Sequence, residues 1–233
     1  MPPRTVLPLF TTPDSATAVE DIQKILQAEL TEIAKSSPVD VEAAQALIPE
    51  IAENACGSLV FASTALGFSL QCSEAFTQLK NIWSCQEYTN KQKIDALYDA
   101  ILEHAFTMEP AHSEQIETLL GPMVASREPL SLNAMAMLLQ NDWAYMLDKQ
   151  QISRTLQTLR FSVLDIPDDD SPTCIRHWQP FVDYLTDGSR RNKPALLANF
   201  QKHHRLAASR CFKHMQRTLR KNICVLDRYA IKP

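Results

Sequence analysis

Glycine is scarce in this chain: four in 233, at positions 57, 67, 121 and 188. About 7% is usual in globular proteins. Loops that cradle phosphates or dinucleotides use glycine for positive φ and close backbone approach. Neither GxGxxG nor GxxxxGK[ST] can be assembled from these four, so the common glycine-loop nucleotide sites are excluded. The six cysteines (56, 72, 85, 174, 211, 224) contain no C-x-x-C. A chain of this length, 45% hydrophobic, fills a core without disulfide staples. The first ten residues hold one arginine and a proline-broken apolar stretch, too brief for a secretory segment. The thiols therefore read as reduced and the protein as cytoplasmic. Strand signals are missing too: β-branched residues do not alternate in runs, and Asp187-Gly188 falls between helical patterns. No repeat of solenoid length is visible.

Charge is present, but unevenly placed. Residues 1–120 carry seventeen acids and six bases, a net of −11. Residues 121–189 carry nine and five, a net of −4. Residues 190–233 hold twelve bases against the single acid Asp227, a net of +11. Such polarity points to an anionic partner or to self-complementary packing.

Helical periodicity dominates the rest, and the fold class is all-α, an irregular bundle of about eight or nine helices with a long basic C-terminal one. Residues 1–13, with four prolines, read as an irregular arm and 14–164 as a helical core. An acidic loop covers 165–172, and 173–233 forms a C-terminal helical segment packed on the core. The first helix opens at Asp14 or Ser15 and carries the apolar stripe Val19, Ile22, Leu26, Leu30, Ile33. Ser37-Pro38 starts the second, and Pro49 kinks or breaks it. The 20 residues from Asn54 to Ser73 carry no charge. Five Ser or Thr and two Gly in that stretch favour a buried central helix, running on to about Trp83, over a membrane span. Asn90 opens a helix with Ile94, Leu97, Ile101 and Ala105 on one face. Ser113 starts another, ending near Gly121-Pro122, and Ser131 begins one through Leu147. Gln151 to about Val163 makes one more. Ser171-Pro172 restarts the chain as helix, and the last helix runs from Pro194 to about Leu226.

That last helix carries the strongest signal. Leu197, Phe200, Ala207, Cys211, Met215, Leu219, Ile223 and Leu226 form an apolar side. Lys202, Arg205, Lys213, Arg217 and Arg220 form a second stripe, widened by Arg210 and Lys221. A basic amphipathic helix docks phosphates, anionic lipid or an acidic protein groove. The plainer reading sets the stripe against the acidic N-terminal portion, neutralised within the fold. Aromatic residues are not interleaved with the bases, which disfavours single-strand stacking. The acidic pI of about 5.9 weakens nucleic-acid readings generally.

Three smaller patterns bear on chemistry. Cys174/His177 and Cys211/His214 are two C-x-x-H pairs, 37 residues apart. On helices each pair would share a face, and together they would make a Cys2His2 zinc site. The plainer reading is two core cysteines with two partly exposed histidines, and no cofactor is expected. Asp168, Asp169 and Asp170 are consecutive and loop-bound, so their carboxylates diverge, unlike a divalent-cation site. Met135, Met137 and Met146 read as core fillers, and His104 as a boundary histidine.

Asn54-Ala55-Cys56-Gly57-Ser58 resembles the cysteine loop of ubiquitin C-terminal hydrolases. The resemblance implies a nucleophilic Cys56, activated at a helix entry. It covers these five residues only. Glu50 stands where that family carries its oxyanion-donating glutamine, and no histidine here has the strand-like flanks of the family's base. A thiol without a positioned base is a weak nucleophile. The alternative is a buried helix-entry cysteine.

With no paired nucleophile and base, no established metal motif and no phosphate loop, the leading expectation is a non-enzymatic helical interaction module. As adaptor, regulator or effector it would engage a protein partner through its charge-polarised surface and C-terminal helix. The alternative is a nucleic-acid-binding or packaging protein using residues 190–228, with a Cys56 hydrolase as the outlier. Anionic lipid and homo-oligomers also fit the charge pattern.

Overall fold

The computed structural model describes residues 15–36, 38–71, 74–108, 110–126, 128–139, 147–166, 174–177, 179–190 and 200–219. Among them are ten α-helices and one pair of two-residue strands, so the protein is all-α. The chain divides into two compact units, Met1–Ile101 and Leu102–Pro233.

The first unit is built from α1 (Ser15–Ser36), α2 (Val41–Asn54), α3 (Leu59–Ser69), α4 (Ala75–Ser84) and the start of α5 (Asn90–Met108). The uncharged stretch becomes α3, and every residue from Phe61 to Phe68 is buried. Ser58 caps it, its hydroxyl accepting from the Phe61 N–H at 3.3 Å. It packs against α1, α2 and α4, which covers a helix that has no polar face to show water. Ile22, Leu26 and Leu30 of the α1 stripe are buried. One polar contact crosses this packing: the Ser63 hydroxyl donates to Glu29 Oε1 at 2.9 Å. Burial pushes the Glu29 carboxyl above the ordinary glutamate value, and the Ser63 hydrogen bond opposes the rise.

Two boundaries here differ from expectation. Asp40 rather than Ser37-Pro38 opens α2, its carboxylate accepting from the Ala43 N–H at 3.0 Å. The helix then continues through Pro49. The uncharged helix ends at Ser69 and α4 starts afresh at Ala75, which raises the helix number to ten. Thr89 opens α5 with a reciprocal box, its hydroxyl accepting from the Gln92 N–H while Gln92 Oε1 accepts from the Thr89 N–H.

The second unit contains α6 (Pro110–Ala125), α7 (Leu132–Leu139), α8 (Lys149–Leu156), α9 (Gln179–Thr186) and α10 (Phe200–Thr218). α6 does not end at Gly121-Pro122 but runs through them to Ala125. Proline in a helix interior costs about 3 kcal/mol; burial of Leu119, Leu120 and Met123 around it supplies the offset. Asp148 opens α8 with a full capping box to Gln151.

The expected absence of strand is also corrected. Leu164 and Asp165 form β1 and pair antiparallel with Arg176 and His177 in β2, Leu164 opposite His177. Ser131 bridges to Cys174, and the Ile175 N–H donates to the Leu130 carbonyl. Burial of Ile166 and Ile175 holds this segment extended, where Ser171-Pro172 was expected to restart a helix. The arm 1–13, the aspartates 168–170, Met146 and the far ends of the last helix lie outside the described residues.

Candidate functional site

α10 packs on α6 and α7, and the way it does so defines the surface it offers. At 3.6 residues per turn its side chains fall into three sectors. His203, Ala207, Arg210 and His214 form one, and they are buried or half-buried. Ala208, Cys211, Phe212 and Met215, continued by Leu219, form the second, and all are exposed. Lys202, Arg205, Lys213 and Arg217 form the third and are exposed as well. Of the apolar side named from the sequence, Ala207 turns inward while Cys211, Met215 and Leu219 are exposed. Phe212 is 64% exposed, Met215 45% and Leu219 57%.

The inward sector is polar because of one close fit. His203 is buried beside Gly121 of α6, where an added Cβ would come within 2.9 Å of the imidazole Cγ and closer still to Nδ1. Gly121 is thus the glycine that lets α10 approach. His203 Nε2 lies 3.7 Å from Glu117 Oε1. Burial lowers the His203 pKa below the ordinary histidine value; Glu117 opposes this, while Lys202 and Arg210 reinforce it. The neutral imidazole is the form the packing favours.

The predicted basic residues separate accordingly. Lys202, Arg205, Lys213 and Arg217 are exposed, whereas Arg210 is buried, 5% exposed. Arg220 and Lys221 lie outside the described residues.

The zinc geometry does not form as expected. Cys174 and His177 lie in extended chain, where positions three apart point to opposite faces. Only Cys211 and His214 keep a helical spacing. Among the described residues no three His, Cys, Asp or Glu side chains gather as a ligand set. The plainer reading is corrected too, since Cys174 and Cys211 are both exposed. Met135 is buried as expected, but Met137 is 48% exposed.

Cys56 follows α2 in a left-handed turn, φ 49°, with Gly57 at φ 78°. Its thiol is exposed rather than buried and points back to the Asn54 carbonyl at 3.7 Å. It lines an open cavity of about 240 Å³ with Asn54, Ser58, Phe61, Lys91 and Lys93 among its neighbours. No His, Asp or Glu is in that lining, so the cavity brings no base to the thiol. His177 does stand on a strand, against the sequence expectation.

The class that the fold defines is an all-α protein. In comparisons with known proteins, no family model, no curated protein and no solved structure matches the chain. Among the described residues no helix is long and apolar enough to cross a membrane.

Proposed function

We propose that the chain is a helical protein-interaction module without a catalytic centre, working as an adaptor, regulator or effector through α10. The observation that carries this is the exposed stripe of Phe212, Met215 and Leu219, with exposed Arg205 beside it and exposed Lys202, Lys213 and Arg217 further round the helix. Apolar anchors at i, i+3 and i+7 are how a helix is read by a protein groove. Clusters of exposed apolar side chains mark interaction sites. The bases alone also fit phosphates, which keeps nucleic-acid binding through residues 190–228 as the second reading. Phosphate contacts, however, have no use for an adjoining Phe, Met and Leu.

The test is affinity purification from native lysate with the full chain, with and without nuclease, beside the Phe212→Glu/Met215→Glu variant. A partner that survives nuclease and is lost from the variant supports the module. Recovery that vanishes with nuclease would transfer the function to nucleic acid. Equal recovery by the variant would remove α10 from the reading.

A further inference from the structure

The first unit contains a cavity built entirely from its own residues. It opens between the turn after α2 and the start of α5 and holds about 240 Å³. Ala55, Phe61 and Ile94 give it an apolar wall, and Asn54, Ser58 and Asn90 bring polar side chains. Lys91 and Lys93 complete the lining together with Cys56. At about 100° per residue, Asn90 and Ile94 share a line along α5, and the lysines stand about 80° to either side of it. The two lysines thus flank the cavity rather than crowd one edge.

Those cations are exceptional in this part of the chain. Residues 1–101 carry thirteen acids against six bases, so carboxylates are plentiful. Lys24, Lys35 and Lys80 each have one: Asp21 at 3.7 Å, Glu32 at 2.6 Å and Glu50 at 3.8 Å. Lys91 and Lys93 have none among the described residues, although Lys93 is half-buried. No acid lines the cavity either. An anion inside it would supply the missing counter-charge. The start of α5 adds donors. Its capping box takes the Thr89 and Gln92 N–H groups and leaves those of Asn90 and Lys91, which a helix start offers to phosphate oxygens.

We infer that the cavity binds a small phosphomonoester, with its phosphoryl group between Lys91 and Lys93. Its organic part lies against Phe61 and Ile94. Two lysines match the charge of about −1.5 to −2 that such a group carries near pH 7; a carboxylate balances only one. Inorganic phosphate would leave the apolar wall unused. A cavity of this size takes a metabolite-sized molecule. Cys56, whose thiol is exposed, is covered when the cavity fills.

The test is alkylation of the full chain by iodoacetamide at fixed ionic strength, followed at Cys56 and Cys85 by peptide mass spectrometry. Cys85 lies outside the lining and serves as the reference. Phenyl phosphate should slow Cys56 saturably and leave Cys85 unchanged. Inorganic phosphate and benzoate should each need higher concentrations, and phenol should not protect. Lys91→Gln/Lys93→Gln, with unchanged circular dichroism, should raise the half-protecting phenyl phosphate concentration about tenfold or more, since one charged hydrogen bond is worth about that factor. Absence of protection by phenyl phosphate overturns the proposal, as does equal protection in the lysine variant. Benzoate acting as well as phenyl phosphate overturns the phosphoryl assignment in favour of carboxylates. Phenol acting as well removes the anion site altogether. The cavity draws on no residue of α10, so Phe212→Glu/Met215→Glu should be protected like wild type, and failure here leaves the interaction module standing.

Discussion

α3 and α10 are opposite solutions to making a helix from this chain. α3 has no charge and buries eight successive residues; α10 has five Lys or Arg and no acid and seats itself through two histidines, an arginine and an alanine. In α3 the hydrophobic effect acts on every side, at about 25 cal/mol per Å². In α10 it acts on almost none of the large side chains. One helix is held by what it hides; the other is free to show what it has. Stability thereby rests on α3, and on the reading proposed above recognition falls to α10.

The largest test of that contrast compares two phenylalanines. Phe68→Ala in α3 should cost about 3–5 kcal/mol in chemical denaturation of the full chain. Phe212→Ala in α10 should stay within about 0.5 kcal/mol. Comparable losses at the two positions would mean that α10 is as buried as α3 and the contrast is false.

A smaller effect is expected where α10 meets α6. Gly121→Ala gains up to about 1 kcal/mol of helix propensity but overpacks against His203 at about 1–3 kcal/mol. A net loss of up to about 2 kcal/mol follows. Adding His203→Ala should remove the overpacking component, a coupling readable in a double-mutant cycle. Additive losses would place the clash elsewhere.

The smallest effect is a pH dependence. The folded state lowers the His203 pKa, so it binds its proton less readily than the unfolded chain does. The associated stability is complete above the ordinary value of about 6.5 and is lost as pH falls through the lowered folded pKa. Amide-exchange protection of α10, corrected for intrinsic exchange, should decline on that acid limb, and His203→Gln should flatten it. The groups acting on the imidazole are Glu117 from α6 and Lys202 and Arg210 from α10; α7 carries no titratable side chain. Protection that rises on acidification would reverse the assignment.

Much of the helical framework was legible in the sequence, because burial and local capping agree there. Ser58 caps α3, and the stripe Ile22, Leu26, Leu30 is buried. Pro122 misleads because a local helix-breaking rule is overridden by burial of its neighbours, which no single-residue preference records. Cys174–His177 reads as helix but lies extended, since its pairing with Leu164–Asp165 is a contact between distant positions. α10 is the most instructive case. Periodicity separates its stripes, yet which stripe turns inward depends on a Gly121–His203 fit between residues 82 positions apart. The candidate bases were visible, but the exposure of Phe212, Met215 and Leu219 beside them was not.

That same fit restricts the order in which this sequence can change. A side chain enters position 121 at less cost in a chain that has already given up the imidazole at 203, whereas 203 can shrink first without a clash. The two positions thus favour one order of change: among descendants of this sequence, bulk at 121 together with histidine at 203 should be the rarer combination.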